Sequence, residues 1–375
     1  MLAIATANPD APAETYVRQH IRSLLPGRTV ALYFQGDGES LKGIPSLRIG
    51  RDCTSHAALG RFRSFRNLVT YAYPGAVTGY TASKTIQFLR ENQVRVILAE
   101  FGPTGCALLP ICRLMGIKLI VNFHGYDATV MPKRWVIRHA YRYLNKYAEG
   151  FVCGSNHFSR VLENIGFERR KIHVIPCGIE VDKFPKDTQN DSNLLIAVGR
   201  FTEKKAPHLT IQAFSKVKRD FPDVRLEMIG GGALMPKCQQ LIKSIGLENS
   251  ITLHGVQNHD FVKQRLARAS IFLQHSVTAK NGDTESQGIS LLEAMASGIP
   301  VVSTLHNGFA ETVIDNKTGF LVKEGDVEAM AKKISILIRD RSLRESMGKA
   351  SFNHVRTAYS ANLQTGKLQS LLNVS

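Results

Sequence analysis

The sequence predicts an α/β protein with two domains, each built on a parallel β-sheet. Short apolar, β-branched runs alternate with helical patterns along most of the chain, which is typical of βαβ units. Parallel strands are buried on both faces and therefore have this continuous apolar pattern. A length of 375 residues is enough for two such domains with separate cores. The predicted strands are residues 1–7, 94–99, 118–123, 150–153, 194–198, 225–229, 250–253, 270–273 and 300–303.

The domain boundary is expected within residues 172–184. A polar stretch, 186–193, follows this segment, and strand–helix alternation then restarts at Leu194. The C-terminal segment is weakly helical and is expected to pack back on the first domain. The expected first domain, second domain and C-terminal helix are 1–175, 176–355 and 356–375.

The composition describes a basic chain with no membrane-spanning run. The net charge is +17, and residues 1–175 hold 23 Lys and Arg against 11 Asp and Glu. Such a surface favours anionic partners, namely phospholipid, nucleic acid or a phosphorylated substrate, although a solvated basic surface is an equal alternative. No apolar run reaches the roughly 20 residues that cross a bilayer. The six cysteines are scattered with no Cys-x-x-Cys pair, so disulfides and zinc are not expected and a cytoplasmic location fits.

Polar and glycine-rich segments follow directly after the predicted strands. In open α/β sheets, ligands bind outside the carboxyl ends of the strands. We therefore expect these segments to converge at one edge of each sheet, so that two facing domains enclose a binding cleft. The segments are 101–105, 124–127, 199–200, 230–232, 254–255 and the one that leads to Glu285.

The segment from Glu285 to Glu293 has the most specific pattern. A helix is predicted at 288–297, with Gly298 suited to a left-handed position after its end and Pro300 beyond. The start of this helix presents unpaired backbone N–H groups, a natural phosphate site. The carboxylates can accept hydrogen bonds from neighbouring hydroxyls of a sugar. The alternative is that Glu285 only complements the helix dipole and that Glu293 is an exposed helical residue.

Arg200 and Lys205 form a second candidate site. They follow a predicted strand and precede a helical pattern at 209–217. Arginine offers a planar fork of donors and lysine a point charge, and both bind phosphate. A pair of exposed cations without a ligand is the alternative.

His124 and Asp127 follow another predicted strand. The histidine could donate a hydrogen bond to a substrate oxygen, and Asp127 could orient either a hydroxyl or the imidazole. A structural histidine is nearly as good an explanation. The glycines at 230–232 allow the backbone to approach a base or a phosphate, although any tight turn uses such residues.

Together these segments resemble the retaining GT-B glycosyltransferases of family 4, in particular those of bacterial exopolysaccharide and colanic-acid assembly. The segment from Glu285 to Val302 is similar to the family's Glu-x7-Glu motif and the Glu-Ala-Met-Ala-Ser-Gly-Ile-Pro-Val-Val that overlaps it. Two departures are present: residues 8–16 replace the family's glycine-rich first loop, and Gly308-Phe-Ala-Glu311 replaces its Gly-Ile-Pro-Glu loop. Other similar segments are 101–105, 123–127, 174–184 and 198–205.

The resemblance implies a role for each matching residue. Arg200 and Lys205 would hold and neutralise the donor diphosphate, and His124 would contact the transferred sugar from the facing domain. Glu285 would bind hydroxyls of that sugar, and Glu293 would bind those of the ribose. The other implied donor-side residues are Gly288, Ile289, Ser290, Gly230, Gly231, His254 and Val256. The implied acceptor-side residues are Glu14, Thr15 and Asp127.

The implied reaction moves a hexosyl group from a nucleotide-diphosphate sugar to a hydroxyl of a glycan or lipid-linked acceptor, with retention at the anomeric carbon. UDP is the favoured nucleotide because similar polysaccharide enzymes often use it. No Asp-x-Asp is present to hold a divalent metal, so Arg200 and Lys205 would replace it, and neither a metal nor a cofactor is expected. No side chain is evident as a nucleophile for double displacement, so front-face attack is the working hypothesis.

Two other functions remain open at this point. A nucleic-acid-binding protein accounts for the charge but not for the segments at the strand ends, and no known nucleic-acid motif is present. No nucleic-acid partner is therefore expected. A nucleotide-sugar epimerase of GT-B fold would use the same donor site and would need no acceptor.

A basic helical stripe is predicted within residues 131–148. It could dock on anionic lipid at the inner face of the plasma membrane, near a lipid-linked acceptor, with each cation contributing about 1 kcal/mol at best. A solvated helix face is the alternative. The basic residues of the stripe are Arg134, Arg138, Arg142 and Lys146, and the interleaved aromatic residues are Trp135, Tyr141 and Tyr143.

Overall fold

The computed structural model describes residues 1–11, 14–49, 76–184 and 191–373. The chain forms two compact units, each a parallel sheet covered by helices. The first unit is Met1–Pro176 together with the segment from Gln364, and the second is Cys177–Leu363. The predicted α/β class with two Rossmann-like parallel sheets is thus confirmed.

The first unit contains a seven-stranded parallel sheet in the order β3-β2-β1-β4-β5-β6-β7. The chain progresses outward in both directions from the neighbouring strands β1 and β4, so the carboxyl ends of these two strands form the topological switch point where ligands bind in such sheets. The strands are β1 Leu2–Thr6, β2 Thr29–Tyr33, β3 Ser46–Arg48, β4 Val96–Glu100, β5 Lys118–Phe123, β6 Gly150–Cys153 and β7 Ile172–Val174.

Helices cover this sheet and fill its core. Helix α1 buries Tyr16, Val17 and Ile21, one apolar stripe, whereas α3 is buried along nearly its whole first three turns and packs on β5 and α5. The helices are α1 Thr15–Ser23, α2 Gly79–Glu91, α3 Gly102–Met115, α4 Tyr126–Thr129, α5 Trp135–Tyr147 and α6 Asn156–Asn164.

The second unit contains a six-stranded parallel sheet in the order β10-β9-β8-β11-β12-β13. Its switch point lies at the carboxyl ends of β8 and β11, the two strands from which the order runs in opposite directions. The strands are β8 Leu194–Val198, β9 Arg225–Ile229, β10 Ile251–Leu253, β11 Ile271–Gln274, β12 Val301–Thr304 and β13 Gly319–Val322.

The helices of the second unit include the one predicted after Glu285. This helix, α10, ends before Gly298, which has φ +72°, so the predicted left-handed residue after the helix end is confirmed. The helices are α7 Pro207–Asp220, α8 Met235–Ser244, α9 His259–Arg268, α10 Ile289–Ala296, α11 Phe309–Thr312, α12 Val327–Arg339 and α13 Arg341–Ala358.

A last helix, α14 (Ala361–Leu372), carries the chain back to the first unit, as predicted. The amide of Gln369 donates to the Leu24 carbonyl at 2.6 Å, and Leu368 is buried. On the second-unit side, the Ile179 N–H donates to Tyr359 O at 2.8 Å and the Ala361 N–H donates to Ile179 O at 2.8 Å. Within the described part of the chain, no helix has the length and apolar character that a membrane crossing requires.

Four strands were absent from the sequence prediction: β2, β3, β7 and β13. Two of them (β3 and β7) are three-residue strands at sheet edges, too short for a clear apolar pattern, whereas β13 is an edge strand with a largely buried apolar run. Ser46–Arg48 illustrates the short edge strand, since two of its three residues are exposed. Strand β2 has an apolar run like those of the predicted strands, so it could have been predicted from the sequence.

Candidate functional site

The switch point of the second unit brings two lysines against one carboxylate. Lys204 and Lys205 follow β8, and Glu285 lies at the end of the loop that follows β11. Lys205 Nζ is 3.1 Å from Glu285 Oε2, and Lys204 Nζ is 3.3 Å from Glu285 Oε1. Lys204 Nζ also contacts Asp283 Oδ1 at 3.1 Å and donates to Thr284 O at 3.2 Å. Two predicted residues, Lys205 and Glu285, therefore meet directly.

Burial and charge act in opposite directions on the pKa values in this cluster. Burial alone would raise the pKa of Glu285, but Lys205 and Lys204 outweigh it and lower that pKa to about 2. The Lys205 pKa is lowered, first by burial, with Glu285 partly opposing the shift and the charges of Lys204 and Arg200 adding to it. Glu285 is consequently an ionised hydrogen-bond acceptor at neutral pH, and Lys205 is a desolvated cation.

Arg200 lies on the same strand-end loop but has a different environment. It is exposed, and among the described residues it makes no ion pair. Its charge nevertheless contributes to the lowered pKa of Lys205, which shows that the two cations share one region. An exposed guanidinium beside a desolvated ammonium is an arrangement suited to a multiply charged anion.

The loop that carries Glu285 is held by backbone hydrogen bonds. The Val277 N–H donates to Lys204 O at 2.9 Å, and the Lys280 N–H donates to Glu203 Oε1 at 3.1 Å. The Glu285 N–H donates to Nε2 of the buried His306 at 3.1 Å. Because Nε2 of His306 accepts this bond, its proton lies on Nδ1, which faces Glu324.

The start of α10 is next to Glu285 in the chain. Gly288 caps this helix at φ +81°, and a Cβ at this position would lie 2.5 Å from Phe309 Cε1, so only glycine fits. Within the described part of the chain, the backbone N–H groups of Ile289 and Ser290 have no hydrogen-bond acceptor, as expected for a first helical turn. The Ser290 hydroxyl donates to Gln274 Oε1 at 2.9 Å instead of capping the helix.

Glu293 lies on the buried side of α10 and not on an exposed face. It is 7% exposed, and His259 Nε2 is 2.9 Å from its Oε1. The alternative of an exposed helical glutamate is therefore wrong. A buried carboxylate that contacts only a half-exposed imidazole among the described residues retains acceptor capacity for hydroxyl groups.

The glycines at 230–232 have a structural explanation. A Cβ at Gly230 would lie 2.0 Å from the Gly199 carbonyl oxygen, because the loop after β9 runs against the loop after β8. The Phe201 N–H donates to Gly231 O at 2.9 Å along the same contact. These residues therefore position the loop that carries Arg200, whatever they do for a ligand. Of the other predicted donor-side residues, Val256 is 69% exposed, and His254 Nε2 is 3.1 Å from Glu227 Oε2.

In the first unit, His124 contacts a carboxylate that the sequence did not predict. His124 follows β5, and its Nε2 is 2.7 Å from Oε2 of Glu100, the last residue of β4. Glu100 is fully buried and also lies 2.6 Å from His20 Nδ1 through its Oε1. The two histidines lower the Glu100 pKa to about 2 against burial, which alone would raise it.

Asp127 does not contact the imidazole, which was one of the two groups that the sequence suggested it could orient. Asp127 is 2% exposed, and its oxygens accept the backbone N–H groups of Gly102, His124 and Gly125 at 2.9, 3.0 and 3.0 Å. The imidazole partner is Glu100 instead. Asp127 thus ties the loop after β4 to the loop after β5, and its acceptor-side role stays a prediction. The predicted acceptor residues Glu14 and Thr15 are half-buried at the start of α1.

Four helices at these sites begin directly after a residue in the left-handed region, and one of them is α4, which follows Gly125 at φ +147°. Phe101 precedes α3 at φ +74°, Ala206 precedes α7 at φ +36°, and Gly288 precedes α10. A left-handed conformation costs about 1–2 kcal/mol for a residue with a side chain. Such strain clusters where a binding loop needs a fixed path, which agrees with the positions of Phe101 and Ala206 beside His124 and Lys205.

The basic stripe is present on α5, with one correction. Arg138, Arg142 and Lys146 are exposed, and Trp135 is 74% exposed. Tyr141, however, is 2% exposed and donates from its hydroxyl to Asp127 O at 2.7 Å. It belongs to the core because it lies about 60° around the helix from Arg138 and about 100° from Arg142, on the side that faces the unit.

Comparison with known proteins agrees with this architecture. The family model "Glycosyltransferase Family 4" matches residues 13–183, and "Glycosyl transferases group 1" matches residues 178–354. The chain is 32% identical to WcaL of Salmonella typhimurium, a protein assigned to colanic acid biosynthesis as a glycosyltransferase, over 74% of this chain and 70% of that one. Its match to WcaL of Escherichia coli is 34% identical over 64% of this chain but spans only 60% of that protein.

Among solved structures, HepE of Anabaena in complex with UDP superimposes with a TM-score of 0.81 at 18% identity, with all of both chains covered. At that identity the likeness concerns the fold. Neither the family models nor these relatives favour the nucleic-acid-binding protein or the epimerase. The chain belongs to glycosyltransferase family 4 and has the two-sheet GT-B fold of that family.

Proposed function

We propose that this glycosyltransferase moves a hexosyl group from a nucleotide-diphosphate sugar to an acceptor hydroxyl in the assembly of a cell-surface polysaccharide. The observation that carries this proposal is the Lys204–Lys205–Glu285 cluster beside the start of α10. The positive charge and the unpaired N–H groups can bind a diphosphate, and the ionised carboxylate can accept hydrogen bonds from sugar hydroxyls. The relatives named for colanic acid biosynthesis support the polysaccharide pathway.

In this proposal, cations stabilise the departing nucleoside diphosphate. Arg200 and Lys205 neutralise its charge, and the N–H groups of Ile289 and Ser290 bind its oxygens. Lys205 is poised for this role because it is partly desolvated, and Coulomb interactions strengthen as water is excluded. A divalent metal is not part of the proposal, since the two side chains supply the positive charge.

Glu285 acts as a hydrogen-bond acceptor and not as a proton donor. With a pKa of about 2 it carries no proton to give at neutral pH, and it is a weak base for the same reason. It is therefore assigned to hydroxyls of the transferred sugar, and Glu293 is assigned to those of the ribose. No carboxylate is assigned as nucleophile, so front-face attack with retention remains the proposed course.

Substitution of Arg200 tests the assignment of the donor site. Arg200→Ala should lower kcat by about 100-fold, because one pre-aimed cation on a leaving group contributes a few kcal/mol. Arg219→Ala is a matched control, since Arg219 is an exposed arginine on α7 of the same unit. Equal turnover in the two variants would contradict the proposal.

A thermal-shift screen of UDP-sugars and GDP-sugars tests the nucleotide. UDP is the proposed nucleotide, supported by the complex of HepE with UDP. UDP-hexoses should raise Tm, because a ligand at 100 times its Kd stabilises the folded state by about 2.7 kcal/mol. If Tm rises with GDP-sugars alone, the donor nucleotide is GDP and not UDP. If Tm rises with no nucleotide sugar, the proposal that the donor is a nucleotide sugar is contradicted.

The α5 face is proposed to dock the enzyme on anionic lipid beside a lipid-linked acceptor. At 100° per residue, Trp135, Arg138, Arg142 and Lys146 fall within about 80° of one another, so the exposed indole lies among three exposed cations. An aromatic side chain among basic residues is the arrangement that peripheral helices use at the lipid surface.

Vesicle co-sedimentation tests this docking. The double variant Arg138→Glu/Arg142→Glu should lose binding to vesicles that contain anionic lipid. Lys349→Glu/Arg356→Glu is the matched control, because it changes the same charge at exposed positions of α13 in the second unit. Equal loss in both variants, or binding unaffected by salt, would contradict a specific docking face.

A further inference from the structure

A second carboxylate of the second unit holds the loop between β11 and α10, residues 275–288. This carboxylate belongs to Glu324, which follows β13. Its Oε2 accepts the Thr278 N–H at 2.9 Å, and its Oε1 lies 2.5 Å from Nδ1 of His306, which follows β12. Nε2 of His306 in turn accepts the Glu285 N–H at 3.1 Å. Glu324 therefore reaches the loop twice, directly near its beginning and through the imidazole near its end.

The backbone determines where the protons lie along this chain of contacts. An N–H group only donates, so Nε2 of His306 presents its lone pair to Glu285 and the ring proton lies on Nδ1. The Asn307 amide nitrogen, 3.1 Å from Nε2, agrees with this assignment because it is also a donor. Burial alone would raise the pKa of Glu324, but the hydrogen bonds from His306 and from the Thr278 N–H lower it. Glu324 thus accepts at both oxygens, and one tautomer of the imidazole satisfies every contact.

Packing fixes the position of the imidazole. His306 is fully buried, and its ring lies edge-on to the ring of Phe309 at 5.7 Å between centroids. The Phe309 ring is also the group that leaves room only for glycine at position 288. The segment 306–309 therefore supports both Glu285 and the start of α10. The family's proline is missing from this segment, and the packed rings provide contacts that do not depend on it.

The hydrogen bond from His306 matters because regular structure does not hold Glu285. Residues 275–288, all of them within the described part of the chain, contain neither a helix nor a strand. The carboxylate of Glu285 lies between Lys204 and Lys205, but the attraction between charges depends on distance and only weakly on direction. A hydrogen bond to the backbone N–H is directional. It therefore sets the orientation of Glu285, whereas the lysines set its charge.

We propose that His306 is a positioning residue for glycosyl transfer: through the Glu285 N–H it holds the Glu285 carboxylate in the orientation that accepts hydroxyl groups of the transferred sugar. Glu324 places the ring by accepting its Nδ1 proton. The inference rests on the proposed donor-sugar role of Glu285. It adds a residue that acts through Glu285 and not by contact with the substrate, and that was absent from the sequence prediction.

Two substitutions of His306 separate its hydrogen bond from its volume. His306→Leu keeps a buried side chain but leaves the Glu285 N–H without an acceptor, whereas the amide oxygen of glutamine in His306→Gln can reach the position of Nε2 and accept that N–H. The assays are kcat with the nucleotide sugar that gives the largest thermal shift, and Kd for UDP, which lacks the sugar.

We expect kcat to fall by about 10- to 100-fold in His306→Leu, since a displacement of about 1 Å in a substrate-binding group has an effect of this size. Most of the loss should be recovered in His306→Gln, and the Kd for UDP should be unchanged in both variants. Equal losses of kcat in the two variants would overturn the inference. A Kd for UDP that rises in parallel with the loss of kcat would also contradict it, because that result indicates a merely structural role.

Spectra test the contacts themselves, without reference to activity. Long-range 1H–15N spectra of the wild-type protein should show His306 protonated at Nδ1. The Glu285 amide proton should exchange with solvent about tenfold faster in His306→Leu than in the wild type, and His306→Gln should restore slow exchange. A wild-type His306 protonated at Nε2, or equal exchange in the three proteins, would overturn the inference.

Glu285→Gln distinguishes this inference from the proposed function on which it rests. The amide of glutamine has one acceptor oxygen in place of two and forms no ion pair with the lysines, so turnover should fall if the carboxylate binds the sugar. Unchanged turnover in Glu285→Gln would contradict the proposed role of Glu285. The tautomer of His306 and the exchange of the Glu285 amide would still show whether His306 holds this backbone.

Discussion

Lys204 and Lys205 are adjacent in sequence, yet the structure predicts opposite effects when each is changed to Met. Lys204 is 6% exposed and contacts Asp283, Thr284 O and Glu285. The ammonium group of Lys205 forms its only ion pair among the described residues with Glu285. Lys204→Met should therefore chiefly lower the free energy of unfolding, whereas Lys205→Met should chiefly lower turnover.

The magnitudes follow from what each lysine leaves behind. Removing Lys204 leaves Asp283 without its cation and weakens the pairing of Glu285, which should cost about 3 kcal/mol, the low end for breaking a buried ion pair. That cost corresponds to a fall in Tm of about 6–12 °C for a unit of this size. Removing Lys205 should cost only about 1 kcal/mol, because Glu285 keeps Lys204 and the desolvation of Lys205 is relieved. Its kcat should fall by about 100-fold or more if the ammonium stabilises the leaving diphosphate.

The assay is a thermal melt of both variants together with steady-state turnover of a nucleotide sugar. Lys204→Met should have the lower Tm of the two variants, and Lys205→Met should have the lower kcat. A Tm for Lys204→Met within about 2 °C of wild type would refute the structural role of the buried pairs. A Lys205→Met variant with wild-type kcat would refute the diphosphate role.

Three further predictions concern acid, glycine and metal. Glu100 and Glu285 have pKa values of about 2 in the folded state, so each should contribute roughly 3 kcal/mol of stability that is present above about pH 4.5 and is lost as the pH falls towards 2. Denaturant unfolding between pH 6 and 3 should show that the free energy of unfolding falls less steeply with pH after Glu→Gln at either position. Gly288→Ala should lower the free energy of unfolding by about 3 kcal/mol, through the left-handed φ and the contact with Phe309. Gly298 has a similar φ but open space around it, so Gly298→Ala should cost only about 1 kcal/mol. Similar Tm values for the two variants would contradict the packing argument. Turnover should be unaffected by an excess of a chelator, and activity that disappears with the chelator and returns with Mg²⁺ or Mn²⁺ would reject the metal-independent proposal.

The sequence predicted the site best where function follows from position along a strand. The segments with Lys205 and Glu285 were assigned to strand ends, and the parallel order of β8 and β11 brings those ends together. Glu293 was recognised from its spacing, although its burial was not determined by that spacing. In such sheets, topology places strand-end residues in one region before any side-chain detail is known.

Pairing between side chains was predicted less well. Glu100 follows an apolar run with no sign that two histidines, 80 residues before and 24 after it, would contact it. Lys204 is indistinguishable from Lys205 in sequence, and only the path of the loop decides which of them faces Asp283. The backbone contacts of Asp127 were not foreseen, because a carboxylate that accepts backbone N–H groups has the same sequence signature as one that binds a ligand.

The return of α14 to the first unit has a consequence for synthesis on the ribosome. The second unit is one continuous segment, whereas the first is made from both ends of this sequence. Chains emerge from the N-terminus, so the second unit can complete its fold while the first still lacks the helix whose Gln369 amide donates to Leu24 O. The half of the protein that is synthesised first is therefore the half that is finished last.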